Sequence, residues 1–191
     1  MKRKIMVGVI AVAIIGLVVG GYYMSRSRNN ASEDGNVTLT EVQKVITKDL
    51  EDNYPATPRE VVKLYNRILQ CFYNESYTDE ELQQLGDQAR MLFDEELLEN
   101  NPRDAYLDAL RADIAEYREK ERTIRSVSVC DSNDVVYKTV DKRECAYVDV
   151  SYFVDEDKQY SYTYQTYVLR TDEEGKWKIL VFYQNEGKFD E

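Results

Sequence analysis

The chain contains no histidine. That absence removes the commonest general base, the commonest metal ligand, every Ser-His or Cys-His nucleophile pair and the usual sensor of mild pH change. Cysteine is scarce as well: Cys71, Cys130 and Cys145 form no CxxC pair, which excludes a zinc ribbon or a thioredoxin-type motif by spacing. Basic residues number 25 against 36 acidic ones, and Lys2, Arg3, Lys4, Arg26 and Arg28 all fall in the first 28 residues, where no acid stands. The acidic remainder repels phosphate backbones and no helix drawn from it carries a basic stripe, so nucleic acid is excluded as a partner. Asp131-Ser132-Asn133-Asp134 resembles the start of a calcium loop, but Val136 stands where glycine is required and Lys142 where glutamate is required, leaving a turn held by Asx side chains. Catalysis would have to rest on Asp, Glu, Tyr, Lys or Cys. No catalytic, cofactor-binding or metal-ligating residue is assigned.

The strongest positive signal is Ile5 to Ser25, IMVGVIAVAIIGLVVGGYYMS, 21 residues without a charge. At about 1.5 Å per residue such a helix crosses a hydrocarbon core of roughly 30 Å. Tyr22 and Tyr23 suit the headgroup level, and the Lys2–Lys4 cluster favours a cytoplasmic amino terminus with the rest of the chain extracytoplasmic. A cleaved signal peptide is the rival reading, against which stand the length of the apolar run and the lack of an A-x-A site. Gly16 and Gly20 have the GxxxG spacing that lets two helices approach, so a homodimer joined through the anchor is one expectation. The expected layout is a cytoplasmic tip and transmembrane anchor over residues 1–25, a flexible linker over 26–37, a helix and connector over 38–56, and a folded domain over 57–191.

Within the domain, helix starts are spelled out. Thr40 caps a short apolar segment; Thr57-Pro58-Arg59-Glu60 and Thr78-Asp79-Glu80-Glu81 are capping boxes, and Asn101-Pro102-Arg103-Asp104 repeats the device. The second helix faces inward with Val61, Leu64, Tyr65, Ile68 and Phe72, with Cys71 at its edge, and Asp94-Glu95-Glu96 reads as a solvated face. After Arg122 the period changes to two: Ala146, Val148, Val150, Tyr152 and Val154 share one strand face, while Cys145, Tyr147, Asp149 and Ser151 share the other. Helices first and short-turned strands afterwards predict an α+β fold, three to four helices packed on a curved antiparallel meander.

Two clusters in the strands invite a site. Tyr160, Tyr162 and Tyr164 alternate along one face before the spacing slips to Tyr167. A bulge near Gln165 and Thr166 would restore one continuous tyrosine face, which reads as a curved, half-exposed sheet surface or as the lining of a ligand pocket. Cys130 and Cys145 both lie on the less apolar side, so a disulfide between them is expected in an exported domain; a bridge to Cys71 or none at all are the alternatives.

The run TPREVVKLYNRILQCFYN, two further helices, and a meander ending in Gly175-Lys176-Trp177-Lys178-Ile179 resemble the nuclear-transport-factor-two-like superfamily, the cystatin-like cone fold, over roughly residues 57 to 185. The whole chain is also similar to small single-anchor proteins of Gram-positive gut bacteria. The resemblance implies a cone of helices on a curved sheet; it brings no catalytic residue, because no family catalytic motif is matched. The function expected on these grounds is that of a membrane-anchored extracytoplasmic binding or assembly module with a protein partner. The alternatives are a small-molecule-binding or enzymatic cone domain, and an envelope or secretion-channel accessory subunit of the kind that the bitopic layout resembles.

Overall fold

The computed structural model describes residues 38–187. Residues 5–25, the linker and the Gly16–Gly20 pair lie outside the described residues. The fold differs from the expected one in its transmembrane helix: no helix among the described residues is long and apolar enough to cross a membrane. Residues 39–187 form one compact α+β unit.

Its helices begin where the side chains demand. Thr40 caps α1 (Glu41–Ile46), Thr57 caps α2 (Pro58–Asn74) and Thr78 caps α3 (Asp79–Met91), each hydroxyl accepting from the third helical N–H while Gln43, Glu60 or Glu81 reaches back. Those reciprocal bonds satisfy amides that a helix start leaves open. Two elements differ from expectation. Asp94 caps an additional short helix, α4 (Glu95–Asn100), which brings the helices to five among the described residues. Helix α5 (Arg103–Glu119) starts on Pro102 without a side-chain cap, because Asn101 instead donates its amide to the Leu97 carbonyl.

The sheet comprises β1 (Arg122–Val129), β2 (Val136–Val140), β3 (Arg143–Glu156), β4 (Gln159–Thr171) and β5 (Trp177–Asn185), with every strand pair antiparallel. It is not a simple meander. β3 pairs with β4 from Cys145 to Glu156, and its other edge is shared: β2 takes Arg143–Tyr147 and β1 takes Val150–Glu156. Two-residue turns close the β2–β3 and β3–β4 hairpins, with Asp141-Lys142 and Asp157-Lys158 both at positive φ, the handedness that matches strand twist. Between β1 and β2 a 3-10 turn (Ser132–Asp134) is held by the Asp134 N–H on the Asp131 carbonyl, not by the Asp131 side chain. The even positions of β3, Ala146 to Val154, are buried as the alternation predicts. They form, with Ile124, Tyr167, Leu169 and Ile179, the sheet side of the core; α2 and α3 supply the other side through Val61, Ile68, Phe72, Leu85 and Ala89.

The expected bulge at Gln165 and Thr166 is absent, since β3 and β4 run in unbroken register from Cys145↔Arg170 to Glu156↔Gln159. The extra residues sit elsewhere, at Arg125 in β1 and Leu180 in β5. The tyrosine stripe is therefore split: Tyr160, Tyr162 and Tyr164 lie on the outer face, opposite Asp155, Phe153 and Ser151, while Tyr167 turns inward and is fully buried.

The disulfide expectation is corrected by the same topology. All three thiols are unpaired. Because β1 and β2 occupy different stretches of β3, the Cys130 N–H bonds the Asp149 carbonyl at 2.9 Å, four residues along the strand from Cys145. At about 3.3 Å per residue that is roughly 13 Å, beyond the ~7 Å between Cα atoms that a disulfide spans.

Candidate functional site

The candidate site lies between α2, α5 and the inner face of the sheet, in a cavity of about 520 Å³. Six tyrosines line it: Tyr65 and Tyr73 from α2, Tyr106 and Tyr117 from α5, Tyr152 from β3 and Tyr167 from β4. The sequence places them by periodicity. Tyr65 and Tyr73 are two turns apart on α2, Tyr152 continues the even face of β3, and the slipped spacing after Tyr164 is what moves Tyr167 to the inside. Small or aliphatic residues of α5, Ala109 and Leu110, leave the space that the rings surround.

The floor is polar. The Tyr152 and Tyr167 hydroxyls share a hydrogen bond of 2.6 Å, and both approach Gln165 Oε1, at 3.3 and 3.2 Å. Asn66, 2% exposed, lies beside the same hydroxyls; its Nδ2 donates to the Val62 carbonyl at 2.9 Å while its buried Oδ1 has no hydrogen-bond partner. Burial raises the pKa of both phenols above the ordinary tyrosine value, more than the Asn66 amide offsets, so they stay protonated at neutral pH. Tyr65 is 4% exposed and packs its ring against Tyr167 and Phe182, at 5.7 and 6.1 Å between centroids. Burial also raises the Tyr65 pKa, and its hydroxyl makes no hydrogen bond among the described residues.

At the mouth, the Tyr73 hydroxyl donates to Asp113, and the Tyr73 ring stacks on Tyr117 at 4.0 Å. Burial first, then the Asp113 bond and charge, raise the Tyr73 pKa. Arg122 lies 4.9 Å over the Tyr117 ring and pairs with Glu156, donating from Nε at 2.7 Å. The mouth thus offers one carboxylate, Asp113, with no ion-pair partner among the described residues, and one guanidinium already matched.

The residues singled out from the sequence stand elsewhere. Tyr160 and Tyr162 are each 61% exposed and form an aromatic ladder with Phe153 and Tyr164 on the outer face, at 5.4, 5.0 and 6.4 Å between neighbouring centroids. Tyr164 borders a separate, polar groove with Asp131, Asp149 and Asn185, so the three do not meet the inner cavity. Asp149 accepts from Thr166 Oγ1 at 2.6 Å on that outer side. Cys71 and Cys130 are not activated: burial, with the charges of Glu41 and Glu75, pushes Cys71 up to about 12, and burial raises Cys130. Among the described residues no cluster of His, Cys, Asp and Glu could hold a metal ion.

A comparison with curated proteins returned no match. A family model matches residues 1–182, nearly the whole chain, and the chain belongs to that family, described as Domain of unknown function (DUF6715).

Proposed function

We propose that the domain is a binding module that holds a small, largely apolar molecule in the phenol-lined cavity. One observation carries the reading: a cavity within the roughly 300–1,000 Å³ of ligand sites, walled by six tyrosines with Asp113, Arg122, Thr163 and Gln165 among apolar side chains. A buried tyrosine or asparagine ordinarily finds a partner, since an unmet polar group costs about 1–3 kcal/mol. Among the described residues Asn66 Oδ1 is left unmet, beside the Tyr152 and Tyr167 hydroxyls of the cavity floor. A helix-backed sheet with a cavity between its layers also supports the resemblance to the nuclear-transport-factor-two-like cone. An export address, the charge-free run of residues 5–25 behind Lys2–Lys4, supports placing the module outside the cytoplasm at the cell membrane.

Saturation-transfer NMR on the full chain with phenol, indole and benzyl alcohol tests the cavity. Transfer to at least one of them is expected, and it should vanish in Ala109→Trp, which fills the cavity from an exposed position of α5. Equal transfer in that variant, with its melting temperature unchanged, would place binding elsewhere and end the proposal. A second reading, docking of a protein partner or a second copy, is favoured by Val181, Phe182 and Tyr183, three consecutive exposed apolar residues on β5.

A further inference from the structure

Resting on the cavity reading above, we infer that the occupant is a small organic cation, an ammonium head carried on an apolar or aromatic body. The tyrosine cavity and the carboxylate at its mouth, which has no ion-pair partner among the described residues, assign it together. A ring face is the negative pole of an aromatic quadrupole, and several rings around one volume make the surroundings in which ammonium groups are held. The charge balance points the same way. Of the ionisable side chains lining the cavity, Arg122 is committed to Glu156, whereas Asp113 receives, among the described residues, the Tyr73 hydroxyl and no cation. Arg90, 5.7 Å from the Tyr106 ring, does not line the cavity and donates to the Asn101 carbonyl.

The neutral groups agree with a donor-rich guest. Gln165 Oε1 is an acceptor in the lining, and the Tyr152 and Tyr167 hydroxyls spend one of their two protons on each other. An ammonium head presents N–H donors and accepts nothing, so it complements this set where a carboxylate would confront Asp113. An anionic guest would need Arg122 released from both Glu156 and the Tyr117 ring.

Three probes of one shape and different charge decide the matter in titration calorimetry on the full chain at pH 7: benzylammonium, benzyl alcohol and benzoate. Benzylammonium should bind about tenfold more tightly than benzyl alcohol, the ratio expected of a cation held by rings and one carboxylate. Benzoate should bind most weakly, and the preference for the cation should collapse in Asp113→Asn. That substitution is at an exposed position and keeps an oxygen for Tyr73, so folding is not at stake. Equal affinity for benzyl alcohol, or tighter binding of benzoate, would overturn the cation while leaving the cavity as a binding site. Failure of all three to bind would overturn both.

Discussion

Asp94 shows how much one residue can hold. It is 2% exposed, caps α4 through the Glu96 N–H at 3.0 Å, and takes both Arg170 donors, one at 3.0 Å from Nε. Burial alone would raise its pKa; the Arg170 hydrogen bonds, the Glu96 N–H and the charges of Arg170 and Arg143 overcome this, so the carboxyl sits below its ordinary value. Removing one partner of a buried pair leaves the other charge stranded, so Asp94→Ala should cost about 3–5 kcal/mol in denaturant unfolding. The double variant with Arg170→Met should cost less than the sum of the two singles. The pH dependence has a definite sign. A depressed folded pKa contributes stability above the unfolded value of about 3.9, and that contribution is lost as pH falls through the folded pKa. The gap between wild type and Asp94→Asn should therefore be full at pH 6 and shrink only below about pH 4. A gap that stayed constant down to pH 2 would show that the pair does not titrate as described. In the sequence Asp94-Glu95-Glu96 reads as a solvated face, because nothing local reveals that Arg170, on a strand 76 residues away, comes to meet it.

At the level of elements, α3 meets α5 at Gly86, where an added Cβ would stand 2.6 Å from Leu107 Cδ2. Two effects oppose each other on Gly86→Ala: alanine is worth about 1 kcal/mol more than glycine inside a helix, while overpacking a filled core costs about 1–3 kcal/mol. Leu107 is itself buried and has little room to yield, so the substitution should destabilise. In a Leu107→Ala background the obstruction is gone and Gly86→Ala should instead stabilise, a reversal that thermal unfolding of the four proteins would reveal. The same sign in both backgrounds would mean that the contact does not govern the junction. Helix starts are legible because Thr40, Thr57 and Thr78 carry their capping partners three residues on, within the same segment. The faces of β3 are legible from alternation. The bulges are not, because the extra residues Arg125 and Leu180 are defined only by the neighbouring strand's register, which no local pattern encodes. The cavity tyrosines are visible one by one, but their convergence depends on α5 packing beside α2 and β1 with Ala109 and Leu110 at the gap.

Across the whole molecule, two properties pull against each other. A net charge of −11 makes copies repel, while β5, the last strand of the sheet, exposes Val181, Phe182 and Tyr183 in succession. Among the described residues Phe93 bridges this strand at Ile179, and no further strand covers the rest of its edge. The stretch from Leu180 to Tyr183 is apolar and uncharged where natural sheets ordinarily place lysine or proline, and this favours pairing with a second copy. Repulsion between like-charged surfaces is screened within about 10 Å at 0.1 M salt and 3 Å at 1 M, whereas apolar strand pairing is not weakened. Self-association of the full chain should therefore rise from low to high salt in sedimentation velocity. Val181→Lys, which places a charge on the exposed edge and leaves residues 5–25 untouched, should return the mass to that of one chain at every salt concentration. If the variant associates as the parent does, the contact arises outside β5, and the edge strand must be kept for another partner.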